Sequence, residues 1–275
     1  MITKHNLLTN LNGSGGEGTV GVGGAGDLLI FLQRCPTIYE MNQHHQEILK
    51  EIKRESKRKP FFCSLPESYA GHNDFSYPLN NPTERKIIKN WIKKHPNLSY
   101  REFVDLLNSL YQGKSATEKE MAGKLLGYLP NLRKQIPPNY IEKWLGNLKG
   151  WAQVDSLCQS NFSAEDLLPH WDKWKNLIQK LARSKNPNKK RAPLVLLTKP
   201  VRESEDTRLA HLAFEIIDTL KLEKEILITK AVSWLLRDLI KNHRRLVEKY
   251  LEENRNGLPK NAVRETRNKL LTGRK

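Results

Sequence analysis

Trp151 and Asp155 lie four residues apart in Gly-Trp-Ala-Gln-Val-Asp-Ser-Leu-Cys. On a helix, positions i and i+4 share a face, so this spacing brings an indole into line with a carboxylate. The face continues as Trp151, Val154, Asp155 and Cys158, which sets Asp155 inside an apolar stripe. A carboxylate there costs on the order of a few kcal/mol unless it is paired or hydrogen-bonded. It is either a core-edge or helix-cap residue satisfied locally, or a functional group. Two later segments show anomalies of the same kind. In Lys-Lys-Arg-Ala-Pro-Leu-Val-Leu-Leu, Arg191 stands at helical spacing from Leu194 and Val195. In Thr-Lys-Ala-Val-Ser-Trp-Leu-Leu-Arg-Asp, Trp234 sits among aliphatic residues. Charge runs at helix ends ordinarily face water, and a lone tryptophan ordinarily belongs to the core. Together, two indoles, a carboxylate and a guanidinium are the parts of an electrostatic site with aromatic walls.

The rest of the chain bounds what such a site would act on. The 275 residues carry a net charge of +17. In the first 40 residues Lys4 and Arg34 are outweighed by Glu17, Asp27 and Glu40, so the remaining 235 carry +18. The charge belongs to the body of the chain and exceeds what solubility requires. A basic body implies a polyanionic partner, with nucleic acid first and an anionic membrane surface second. No apolar run is long enough to span a bilayer, and the N-terminus lacks the pattern of a secretion signal. Cys35, Cys63 and Cys158 are odd in number and widely spaced, which suggests neither a disulfide framework nor a zinc cluster. A cytoplasmic protein, associated with the nucleoid through DNA, is expected. No metal or cofactor is called for.

Residues 1–40 read as a flexible Gly-rich leader outside the fold. Their single Gly-x-Gly-x-x-Gly match (Gly21, Gly23, Gly26) has no strand before it, as dinucleotide binding would require. From Met41 onward the pattern is helix after helix. A basic amphipathic helix over 43–59 stops at Pro60, and 60–82 is expected to be a long irregular connection. Further helices are predicted at 83–95, 99–111, 115–129, 139–148, 153–162, 169–183, 189–197, 207–220, 223–243, 246–253 and 260–271. Ser115 and Glu118 form the signature of a capping box. Pro193 is expected to bend its helix, and 201–206 to form a loop. Short connections between helices of this length predict stacked antiparallel pairs, an all-α superhelix. No exact sequence period is visible, so any repeat must be structural and degenerate.

The order Gly-Trp-Ala-Gln-Val-Asp, Lys-Lys-Arg-Ala-Pro-Leu-Val and Thr-Lys-Ala-Val-Ser-Trp-Leu-Leu-Arg-Asp-Leu resembles the DNA alkylation repair family of AlkC/AlkD-type glycosylases. The tail Leu-Pro-Lys-Asn-Ala-Val-Arg-Glu-Thr is similar to that family's last helix. The resemblance spans roughly 41–275. It implies an α-solenoid of HEAT-like helix pairs with a basic concave face for duplex DNA, and excision of cationic N3- or N7-alkylated purines in base excision repair. By position it implies that Asp155 is the catalytic carboxylate, that Trp151 and Trp234 pack against the sugar of the lesion, and that Arg191 anchors backbone phosphate, with Lys190 and Arg237 as further phosphate contacts. A monomer without cofactor is implied. The family's second acidic residue is missing between Trp151 and Val154, where Ala152 and Gln153 stand.

Such chemistry is physically coherent. A purine alkylated at N3 or N7 is already a cation and a good leaving group, so no general acid is needed. Negative charge beside the developing oxocarbenium sugar and a positioned water are needed, and one carboxylate supplies both. Neutral bases would need a proton donor, and the sequence offers no acid near the motif. The rival reading is a helical scaffold that binds nucleic acid without catalysis, and a helical protein–protein adaptor, disfavoured by the charge, is third. Convergence of Trp151, Asp155, Arg191 and Trp234 in one groove would favour the enzyme.

Overall fold

Helix starts in this chain are written in short polar side chains. Asn42, Asn80 and Asn186 each accept backbone N–H groups of the first turn that follows, as do Asp206 and Glu225. Ser99 and Ser115 each form a complete capping box, with Glu102 and Glu118 respectively. The computed structural model describes residues 41–62 and 74–274. The reading of residues 1–40, and Cys35 and Cys63, lie outside the described residues.

The elements are α1 (Gln43–Glu55), β1 (Phe61–Phe62), β2 (Phe75–Ser76), α2 (Asn81–Lys94), α3 (Tyr100–Tyr111), α4 (Ala116–Tyr128), α5 (Pro130–Arg133), α6 (Pro138–Leu145), α7 (Gly150–Cys158) and α8 (Ala164–Leu167). After a short 3-10 turn follow α9 (Trp171–Ala182), α10 (Pro187–Glu203), α11 (Thr207–Leu220), α12 (Ile226–Asn254) and α13 (Lys260–Thr272). The fold is all-α. No helix among the described residues is long and apolar enough to cross a membrane.

The helices stack in two layers. One runs α4, α7, α10, α12, α13, each packed on the next; the other contains α6, α9 and α11 in the same manner, with α3 preceding them. A step of 36 residues recurs within the layers. Asn108 accepts from Trp144 Nε1, Ser156 Oγ donates to the Glu120 carbonyl, Arg191 pairs with Asp155, Gln179 bonds Glu215 and Arg202 bonds Asp238, every pair separated by 36 residues. The repeat that the sequence conceals is present as this offset.

Four expectations are corrected. The connection 60–82 is not wholly irregular, because Phe61–Phe62 pairs antiparallel with Phe75–Ser76, aromatic residues suiting a pleated ribbon. α10 neither stops at Leu197 nor leaves 201–206 as a loop: it runs through Pro193 and Pro200 to Glu203. Leu194, Val195, Leu196 and Leu197 are all 0% exposed, and that burial outweighs the hydrogen bonds the prolines lack. The two helices predicted over 223–253 are joined in α12, with a kink at His243 (φ −127°, ψ 32°). The helix predicted over 153–162 begins earlier and ends earlier, at Gly150 and Cys158. Gly150 has φ +74°, a conformation that favours glycine, and it turns the chain into α7 just before Trp151.

Candidate active site

Two helices approach unusually closely to build one wall of the site. A Cβ on Gly123 of α4 would lie 2.2 Å from the Ser156 carbonyl oxygen of α7, so only glycine permits this seam. Beside it opens a cavity of about 590 Å³. Trp151 and Asp155 from α7, Glu120, Lys124 and Tyr128 from α4 and Arg85 from α2 are among its lining residues.

Asp155 is fixed from behind. Arg191 Nε donates to Asp155 Oδ1 at 2.8 Å and Nη2 to Oδ2 at 2.8 Å, the bidentate geometry in which a guanidinium matches a carboxylate. Nη1 donates to the Leu227 carbonyl. One buried side chain thus joins α7, α10 and α12. The stripe read from the sequence divides accordingly: Val154 and Cys158 enter the core, while Trp151 and Asp155 line the cavity. Burial pushes the Cys158 thiol well above its usual range and the Asp155 charge adds to this, which leaves the thiol inert as a nucleophile.

Glu120 is the residue the sequence did not flag. Burial, reinforced by the charge of Glu84 and opposed by Lys124, pushes its carboxyl up to about 7. The expectation that no acid stands near the motif is therefore wrong, because the Glu120 side chain lines the same cavity as Asp155. In sequence it is one glutamate in the charged run Thr-Glu-Lys-Glu-Met, where nothing marks it as half-buried.

The family described as "DNA alkylation repair enzyme" matches residues 45–270. The chain belongs to that family. Among solved structures it is similar to a protein from Enterococcus faecalis described as a predicted DNA alkylation repair enzyme, with a TM-score of 0.59 at 16% identity, over 83% of this chain and 95% of that one. At that identity the likeness bears on the fold. No curated protein sequence matches.

Membership of the DNA alkylation repair family frames where the other expected site residues stand. Trp234 does not line the cavity that holds Trp151 and Asp155. It lies on α12, partly buried against the core, and its side chain hydrogen-bonds Asp238. Asp238, in turn, accepts from Arg202 at 3.1 Å. Lys190 is paired with Glu223, and Arg237 with Glu265 and Ser233. Three of the four residues thus meet, Trp151 and Asp155 in one cavity with Arg191 behind them, while Trp234 is not among the residues lining that cavity. The residues with the composition of a metal site, His44, Glu47 and His95, belong to α1 and the end of α2 and do not line this cavity.

The basic residues best placed beside the cavity are on α2. Arg85, Lys89 and Lys93 recur every four residues, are exposed, and share a shallow groove with Lys86. Arg85 also lines the Asp155 cavity. A helical run of cations is visible in the sequence; its position beside Asp155 is not.

Proposed function

We propose that the protein is a DNA glycosylase that removes positively charged N3- or N7-alkylated purines from duplex DNA. The observation that carries this reading is Asp155, held by both arms of the Arg191 fork at the wall of a cavity shared with the Trp151 indole. Arg191 holds the carboxylate in place through two charge-assisted hydrogen bonds, and each carboxylate oxygen has a further lone pair for the cavity side. As the glycosidic bond breaks, its electrons leave with the cationic base, which departs neutral. The oxocarbenium sugar that remains is stabilised by Asp155, which also accepts the proton of the attacking water. The face of Trp151 attracts the partial positive charge of the sugar.

Arg191 acts here as the positioning partner of Asp155 in place of a simple phosphate anchor, since three of its five N–H donors are engaged within the protein. The phosphate contacts are assigned to the α2 stripe of Arg85, Lys89 and Lys93, which leads to the cavity mouth. Trp234 contributes, in this reading, through the exposed part of its ring along the path of the duplex.

The decisive experiment incubates the protein with methylated duplex DNA and identifies the free base released. Release of 7-methylguanine or 3-methyladenine by the wild type, and its loss in Asp155→Asn with DNA binding retained, is the expected result. Binding of the lesion duplex with no base released by the wild type would leave the non-catalytic scaffold as the better account.

A further inference from the structure

Two imidazoles and a carboxylate meet where α1 packs on α2, away from the Asp155 cavity. His44 and Glu47, three residues apart at the start of α1, share a face. His95 is the C-cap of α2. One ligand atom from each lies within 4.8 Å of the others. Glu47 Oε2 is 3.1 Å from His95 Nε2 and 3.7 Å from His44 Nδ1.

The positions of the protons decide what this cluster is. His95 Nδ1 lies 2.9 Å from the Trp91 carbonyl oxygen, which can only accept, so Nδ1 carries a hydrogen. In the neutral ring, Nε2 then turns a lone pair toward a carboxylate oxygen at 3.1 Å. Two acceptors at that distance require either a proton or a metal ion between them. His44 distinguishes the two. Its Nδ1 is buried without a hydrogen-bond partner; a proton on His95 leaves it unsatisfied, whereas a metal ion engages it.

The surrounding side chains hold these atoms in place. Trp91 Nε1 donates to Glu47 Oε2 at 2.9 Å. The Trp91 ring stacks on His95 at 4.3 Å and meets His44 edge-on at 5.3 Å. A ligating histidine whose other nitrogen donates to a backbone carbonyl, beside a carboxylate oriented by a hydrogen bond, is the arrangement that fixes ligands for a metal.

We propose that His44, Glu47 and His95 bind a zinc ion, with solvent or a small anion in the fourth position. Two imidazoles and one carboxylate suit zinc, whereas magnesium and calcium take oxygen ligands throughout. The side chains of Glu47 and His95 are 38% and 22% exposed, which leaves a solvent-facing approach to the buried His44 Nδ1. Because two ligands come from α1 and the third from the end of α2, zinc clamps α1 to the helix that carries the Arg85, Lys89 and Lys93 stripe. The three cysteines give no hint of this site. The pattern His-x-x-Glu spans less than one turn, and the third ligand arrives only through packing. The inference stands independently of the glycosylase reading.

The test uses the full chain, stripped with a chelator and titrated with Zn²⁺ by calorimetry at neutral pH. One equivalent is expected to bind in the wild type and to be lost in the His44→Ala, His95→Ala double variant, whose helicity is checked by circular dichroism. The thermal midpoint should rise with zinc in the wild type alone. Trp91→Phe, which removes the indole donor to Glu47 and part of the ring stacked on His95, should weaken binding by about 10–100-fold. Co²⁺ in place of zinc should give visible d–d bands without thiolate charge transfer. Equal zinc binding by wild type and double variant, a thiolate band, or no zinc binding by the wild type would each overturn the assignment, the last leaving a protonated His95–Glu47 ion pair.

Discussion

Asp155 and Arg191 are each exposed by about a tenth or less of their side chains, and neither can be changed without consequence for the other. Removing the guanidinium leaves a carboxylate stranded in a largely buried position, a change that typically destabilises by about 3–5 kcal/mol. Arg191→Ala is therefore expected to lower the urea midpoint sharply as well as the rate of base release. Asp155→Asn retains a carbonyl oxygen to accept from Arg191 and should cost less stability, while base release falls by about 100–1,000-fold, the usual effect of losing one electrostatic stabiliser. Single-turnover release from 7-methylguanine duplex separates the two variants. Equal loss of midpoint in both would mean that the carboxylate's charge is mainly structural. The identities of these residues are legible in the sequence because a carboxylate on an apolar stripe is anomalous. Their pairing is not, since it depends on two helices whose contacting positions are 36 residues apart.

Glu120 gives the site a pH dependence whose sign can be stated. Its carboxyl is raised to about 7 from an ordinary value of 4.5. Between those values the folded protein holds a proton that the unfolded chain has lost, so the stability Glu120 contributes is complete below 4.5 and disappears as pH rises through 7. Glu120→Gln should accordingly raise the thermal midpoint relative to wild type at pH 8 and change it little at pH 4. Ionisation above 7 also adds negative charge to a cavity in which Asp155 is already compensated by Arg191. Excision of a cationic purine should therefore quicken as pH rises through about 7, and the Gln variant should flatten that rise. A wild-type rate that falls over the same interval would assign Glu120 instead to proton donation. Burial and the charge of Glu84 produce this shift, and neither is readable from the local sequence.

At the scale of elements, the cavity depends on how closely α4 can lie against α7. Gly123→Ala places a methyl group against the backbone carbonyl of Ser156, an atom that cannot swing aside as a side-chain tip would. Overpacking of this kind costs about 1–3 kcal/mol, and the separation it forces moves Trp151 and Asp155 away from Glu120. A lower denaturation midpoint together with reduced base release is expected; an unchanged midpoint would show that the seam is looser than described. The capped helix start was legible, since the Ser115 and Glu118 capping box is formed as read; where no such signature stands the start shifts, α12 beginning at Ile226 against the 223 expected. The end of α10 was not legible. Pro193 and Pro200 signal interruption locally, and only the burial of the intervening leucines, contributed by neighbouring helices, overrides them.

For the whole molecule, the 36-residue offset explains why a repeat protein can show no repeat in its sequence. The positions are equivalent but the chemistry across each step is different: a tryptophan on an asparagine, a serine on a backbone carbonyl, an arginine on an aspartate, a glutamine on a glutamate. Packing demands a spacing, not a residue type, and so composition and charge carry more of the global message than periodicity does. The +18 of residues 41–275 predicts binding to duplex DNA that is largely independent of sequence and weakens steeply with salt, each neutralised phosphate contributing about −0.9 to the log–log slope. If the α2 stripe is the path of the backbone, Lys89→Glu with Lys93→Glu should weaken binding of lesion and undamaged duplex alike and make the slope shallower by about 2. Both residues are exposed, and with only the contact of Lys89 over the Tyr128 ring to lose the midpoint should move little. Catalysis under saturating DNA should also be retained, since neither lysine lines the Asp155 cavity. An unchanged slope in this variant, measured by fluorescence anisotropy over a salt series, would move the DNA path off α2 and require another basic face to deliver the lesion to Asp155.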